Sequence, residues 1–137
     1  MVFKTLFGST RKVKGSRKYL IEWESGSRSK IQNLVKNYLK KYWEHDIVFE
    51  EFPLVGTRMT FDFYNATQNI ILEVQGKQHT KYIPFMHANS KINYLKQLKR
   101  DQDKLKFCEL NSIDFVEFFH GEDQLDDLHK LLDLSAF

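Results

Sequence analysis

Apolar positions along this chain follow two periods, and the switches between them predict the order of elements. Ile31, Leu34, Val35, Tyr38, Leu39 and Tyr42 fall at i, i+3, i+4, i+7, i+8 and i+11, one side of a helix over roughly 30–43. Ser29 stands just before that run, where a hydroxyl accepts from the free amides of a first helical turn. Three β-rich runs follow, Ile47 to Phe52, Met59 to Tyr64 and Ile70 to Gln75. Pro53 to Thr57 and Asn65 to Asn69 supply turn chemistry between them. A second helix over roughly 91–108, capped by Ser90, is predicted to turn Ile92, Leu95, Leu98 and Leu105 inward. Ile113 to Phe119 reads as a fourth strand, and 123–134 as a last helix with Leu125, Leu128 and Leu132 inward. Lys18 to Trp23 is a further, short strand candidate. The order α-β-β-β-α-β-α predicts a single α/β domain whose mixed sheet is flanked by helices. Its first three strands form an antiparallel meander, and the fourth, arriving by a helical crossover, can lie parallel to a neighbour.

The alternation inside the second and third strands carries the chemistry. Met59, Phe61 and Phe63 alternate with Thr60, Asp62 and Tyr64, while Ile70, Leu72 and Val74 alternate with Ile71, Glu73 and Gln75. Placing both apolar sets on one face puts Asp62 opposite Glu73 and Phe61 opposite Val74, with a four-residue loop, Ala66 to Asn69. A slip by one residue would send Glu73 into the core. As cross-strand partners the two acids have Cβ atoms about 4.5–5.5 Å apart. Carboxylates that close repel unless one is protonated or a cation neutralises both. Hard oxygen ligands suit Mg²⁺ or Mn²⁺, which also bind phosphate oxygens. On the same strand parity, Gln75, Lys77 and His79 would add phosphate donors and a proton shuttle beside the pair. Glu50 is the candidate third metal ligand if Ile47 and Phe49 face the core, with Glu51 as its alternative. Taken singly these residues have plainer readings. A lone Asp on a sheet is usually solvated, Lys77 and Gln78 suit an ordinary loop, and an isolated His more often caps or lies at the surface.

Charge adds a partner class. Net charge is only +3, but residues 1–30 hold eight basic and two acidic side chains, whereas 122–137 hold five acids and one lysine. Residues 1–28 therefore read as a basic arm, with Arg11, Lys12 and Lys14 as polyanion contacts, ahead of a domain at 29–137. Lys77, Lys81, Lys91, Lys96, Lys99, Arg100 and Lys104 form a candidate nucleic-acid-backbone face, or a solvated helix face balanced by Asp101 and Asp103, and Arg58 beside the second strand is another phosphate candidate. The lone Cys108 excludes an intrachain disulfide and a Cys-rich zinc site. No apolar run is long enough to suggest a signal peptide or a bilayer span, so a soluble, cytoplasmic protein is expected.

At Asp62, at Glu73-Val74-Gln75 and across the flanking elements, residues 29–134 resemble the PD-(D/E)XK nuclease superfamily. Glu73 to His79 is similar to the acid-x-x-Gly-x-x-His run of its very-short-patch-repair-like branch, and Arg100 to Lys104 resembles that branch's next helix. Small phage-type homing endonucleases use a related core. The resemblance implies Mg²⁺-dependent cleavage of a DNA phosphodiester, with Asp62 and Glu73 on the metal, His79 moving a proton and Lys77 facing the phosphate. Two positions depart from the pattern. Gln75 replaces the usual lysine, and the first helix has no acid, Gln32 and Asn33 being its nearest polar candidates. A homing or repair endonuclease is expected. A dimeric resolvase of branched DNA and a non-catalytic nucleic-acid-binding protein are the alternatives.

Overall fold

Ser29 starts a helix as its position predicts. Its Oγ accepts from the Gln32 amide at 3.1 Å, and α1 runs Lys30–Trp43. The computed structural model, which describes residues 1–76 and 91–134, then places β3 (Val48–Pro53), β4 (Thr60–Asn65), β5 (Ile70–Gln75), α2 (Lys91–Leu110), β6 (Asp114–Phe119) and α3 (Leu128–Leu132). Two further strands, β1 (Val2–Lys4) and β2 (Thr10–Lys12), precede α1 as a separate antiparallel hairpin. The main sheet has the order β3-β4-β5-β6. Its first two pairings are antiparallel and β6 lies parallel to β5, as the helical crossover allows. The chain is thus one small mixed α/β domain with two sheets and three α-helices among the described residues.

Both faces of the main sheet are buried, and here the structure corrects the one-faced reading. Neighbouring residues Val48 and Phe49, Phe63 and Tyr64, and Ile71 and Leu72 are all inaccessible. Phe49, Tyr64 and Ile71 pack with Phe107 and Cys108 of α2. Val48, Phe63, Leu72 and Phe118 pack with Val35, Leu39 and Trp43 of α1 and with Leu128 and Leu132 of α3. Each such large side chain contributes about 1.5–3 kcal/mol on leaving water. Regular alternation fails at one place. Phe61 packs on Phe107, ring centroids 5.7 Å apart, although Phe63 belongs to the opposite cluster. Across the ladder, Glu51 has left-handed backbone with φ 52°, and Phe52 turns to the same cluster as Phe61. One left-handed residue shifts the strand's side-chain parity, as a bulge does.

The helices also depart from the predicted faces. The buried side of α1 is Gln32, Val35, Lys36, Leu39, Tyr42 and Trp43, while Leu34 is 51% exposed. The rotation follows from polar partners on β3, described below. On α2 only Phe107 and Cys108 are buried, whereas Ile92, Leu95 and Leu105, expected inward, are exposed. That helix meets the core through its C-terminal turns. The predicted final helix is a 3₁₀ turn (Leu125–Asp127) leading into the short α3. The predicted strand near Lys18 is a 3₁₀ turn (Ser16–Tyr19) followed by a single bridge from Leu20 to Phe49. The segment expected as a basic arm is built into the core. Phe3 packs against Phe52, Tyr64 and Phe107, and Val13 is buried. Among the described residues, no helix is long and apolar enough to cross a membrane.

Candidate active site

The β4–β5 turn sets the register on which the site depends. Asn65 Oδ1 accepts from the Gln68 amide at 2.9 Å, and Asn69 takes the left-handed conformation, φ 59°, that asparagine tolerates. Asn69 also accepts from the Tyr64 hydroxyl at 3.1 Å and donates to the Ser112 carbonyl at 2.7 Å. Asn65 pairs with Ile70, Tyr64 with Ile71 and Phe63 with Leu72. The next position in that register sets Asp62 against Glu73, as the alternation predicts. There the backbone ladder gives way. The Asp62 amide donates to Glu73 Oε2 at 2.7 Å, and the Val74 amide donates to Asp62 Oδ2 at 2.7 Å. Each carboxylate thus accepts a backbone amide of the opposite strand.

The two acids differ in surroundings. Glu73 is 2% exposed, and its Oε1 is paired with the Lys104 ammonium from α2. That ammonium also lies 5.8 Å from the centre of the Phe61 ring. Asp62 has no such cation, and its carboxyl is pushed up to about 7. Burial is the largest cause and the Glu73 charge the next; the Val74 amide and Lys104 oppose them without cancelling them, and Glu51 adds to the rise. Near neutral pH this carboxyl is thus shared between its two protonation states. Beneath the pair, burial and the Glu73 charge push the Cys108 thiol up to about 12, so it is inert.

Lys104, expected on a DNA-backbone face, is turned inward because the buried Glu73 charge requires a counter-ion. Lys96, Lys99 and Arg100 remain exposed on α2, with Lys99 paired to Asp103 at 2.8 Å. Arg58 is exposed in the β3–β4 turn, and Arg11, Lys12 and Lys14 are exposed on and beside β2. Gln75 ends β5, half-buried and two residues beyond Glu73. Lys77, His79 and Lys81 lie outside the described residues.

Glu50 is placed differently from expectation. It accepts from Lys36 Nζ at 2.9 Å, Ser27 Oγ at 2.6 Å and Gln32 Nε2 at 2.9 Å. Lys36 is 1% exposed and also donates to the Ser25 carbonyl at 2.8 Å. Glu50 is therefore neutralised under α1, on the face opposite α2, and does not reach Asp62. The parity argument failed because the sheet is buried on both sides. Glu51, the alternative, lies across from Asp62 between the pairs Glu50–Phe63 and Phe52–Phe61. It accepts from Thr60 Oγ1 at 3.1 Å, Gln32 Nε2 at 3.0 Å and Arg28 at 3.1 Å. On the other side, Glu73 pairs in register with Glu117 of β6. Glu51, Asp62, Glu73 and Glu117, one from each strand, thus cross the sheet in a row. Among the described residues no three carboxylate, imidazole or thiol groups converge as a metal cage would require. The central donor set is Asp62 and Glu73, all oxygen, with one carboxyl lacking a counter-charge, and it matches a hard divalent cation in kind. Sequence reasoning did not find Glu117 or the Lys104–Glu73 pair. The acid between Val116 and Phe118 was a visible signal, but parallel register and helix docking are long-range properties.

No family model matches this sequence, and no solved structure matches it. Among curated proteins, uncharacterized protein 033L of Invertebrate iridescent virus 3 is 31% identical over 65 residues, 47% of this chain and 33% of that protein. The match thus spans about a third of that relative's length.

Proposed function

We propose that this chain is a Mg²⁺- or Mn²⁺-dependent endonuclease that hydrolyses DNA phosphodiesters, of a homing or repair type. The observation that carries the reading is the Asp62–Glu73 pair, two adjacent carboxylates of which one is held near 7 by burial and by its neighbour's charge. A protein that needed only stability would gain by losing one of them. The four-stranded order, with β4 antiparallel to both neighbours, β6 parallel to β5 and helices on both faces, agrees with a restriction-endonuclease-like core. Asp62 and Glu73 would hold the ion, whose Lewis acidity serves water activation and phosphate charge. Asp62 would hold the ion as a carboxylate, having given up its proton. Lys104 holds the second oxygen of Glu73 and so fixes its carboxylate plane. Gln75 orients water or phosphate, and His79 and Lys77 serve as proton shuttle and phosphate contact in this reading.

A second reading rests on Lys104. Its ammonium supplies at Glu73 part of the positive charge that a metal would bring. A nucleic-acid-binding protein without hydrolysis would keep that pair and bind no ion. Incubating plasmid and four-way-junction DNA with the protein in Mg²⁺, Mn²⁺ or EDTA separates the possibilities. Cleavage in either metal, absent in EDTA and in Asp62→Asn and Glu73→Gln, is expected. Calorimetry of Mn²⁺ binding gives an independent measure, and wild type that binds no Mn²⁺ and cuts nothing supports the second reading. Cutting of junctions alone, by a dimer in sedimentation, identifies a resolvase.

A further inference from the structure

The first twenty residues hold six basic side chains and no acid. Among the described residues, none of the six pairs with a carboxylate. Lys4, Arg11 and Lys12 are exposed along the β1–β2 hairpin. The loop joining its strands is tied within itself. The Thr5 amide donates to the Ser9 carbonyl at 2.8 Å, the two hydroxyls meet at 2.8 Å, and Thr5 Oγ1 accepts from the amides of Phe7 and Ser9 at 3.3 and 3.2 Å. Thr5 itself is 1% exposed. This stiff loop presents Phe7 at 75% exposure, more than any other large hydrophobic side chain among the described residues. Folding gains nothing from an aromatic ring held into water.

The tip lies at the active-site end of the sheet. A Cβ on Gly56, in the β3–β4 turn, would stand 3.8 Å from both the Phe7 ring and the Arg11 guanidinium. Arg58 follows in the same turn, and β4 then leads to Asp62. We propose that this hairpin enters the major groove of B-form DNA, with Phe7 against the bases and Arg11 and Arg58 on phosphates, and so brings a strand to Asp62 and Glu73. The delivery step rests on the nuclease reading; the binding surface does not. Unpaired positive charge complements a polyanion. The B-DNA major groove, about 12 Å wide, admits a two-stranded ribbon, whereas the deep, narrow groove of A-form RNA does not. Phe offers an apolar contact to a thymine methyl or a wedge at a base step.

The test measures anisotropy of a labelled DNA duplex with Asp62→Asn protein in EDTA, where nothing is cut. Adding Phe7→Ala is expected to weaken binding about tenfold with the salt dependence unchanged. Arg11→Ala is expected to lower the slope of log Kd against log salt by about one. Ile47→Ala, an exposed change at the far end of β3, is the control that alters neither. An RNA duplex of the same sequence is expected to show no Phe7 effect. Wild-type affinity in both variants overturns the proposal. So does an equal Phe7 effect on RNA, or Phe7→Ala that only converts a dimer to a monomer. The nuclease reading fails separately. Phe7-dependent DNA binding with no plasmid cleavage in either metal leaves this surface standing, and cleavage with affinity blind to Phe7 and Arg11 does the reverse.

Discussion

Asp62 has a carboxyl that is costly to ionise in the fold, and this has a signed consequence. Its ordinary value is 3.8 and the folded chain raises it to about 7. The folded state therefore holds this proton more tightly than the unfolded one. The resulting stability is complete below the ordinary value and is lost as pH rises through about 7. Asp62→Asn removes that loss, so the variant should melt above wild type at pH 8 and approach it toward pH 5, as thermal scans across that range would record. In the proposed metal site the same proton would compete with a cation. Apparent Mn²⁺ affinity in calorimetry should rise with pH by up to tenfold per unit below about 7 and level off above. A flat profile would mean that Asp62 is not a ligand. The pairing of Asp62 with Glu73 was legible because a period-2 pattern and an asparagine turn jointly specify register. The choice between Glu50 and Glu51 was not, since the face opposite Phe49 is itself buried under α1 and takes Glu50 with it.

Among the elements, α1 shows how a buried polar pair can override a hydrophobic stripe. Its cap and limits matched the pattern of Ser29 and the spaced apolar residues, but the helix is rotated so that Lys36 and Gln32 reach Glu50. Lys36 and both Glu50 oxygens are satisfied, and removing one partner would leave a buried charge alone. Glu50→Gln should therefore lower unfolding stability in urea by about 3 kcal/mol. Mn²⁺ affinity should stay at the wild-type level, because Glu50 lies under α1. A loss of metal binding with stability intact would restore Glu50 to the site. The amphipathic count could not foresee this rotation, which is set by an acid on a strand whose facing helix the sequence does not name.

For the whole molecule, element order and mixed strand direction were readable, because a crossover helix between two strands permits parallel pairing. The two-sided burial of the sheet was hidden, since adjacent apolar pairs such as Ile71 and Leu72 look like interruptions of an alternation. Integration of the N-terminal hairpin was hidden as well, because six basic side chains mask the two residues that anchor it, Phe3 and Val13. Deleting residues 1–13 should therefore not leave a trimmed domain that still folds. Loss of Phe3 alone corresponds to about 3–5 kcal/mol, a large fraction of a small domain's stability. The truncated chain should lose its cooperative melting transition, and a sharp transition at the wild-type temperature would show the hairpin to be dispensable.

The amides of Asp62 and Val74 hang on ionisable groups where a β-ladder would use carbonyls. At that point the two strands are laced by charge. Drawing either acid toward an ion slackens the lacing, whereas a proton on Asp62 relieves the repulsion across it. The charge on this pair and the mechanical stiffness of the sheet at this edge are then set together.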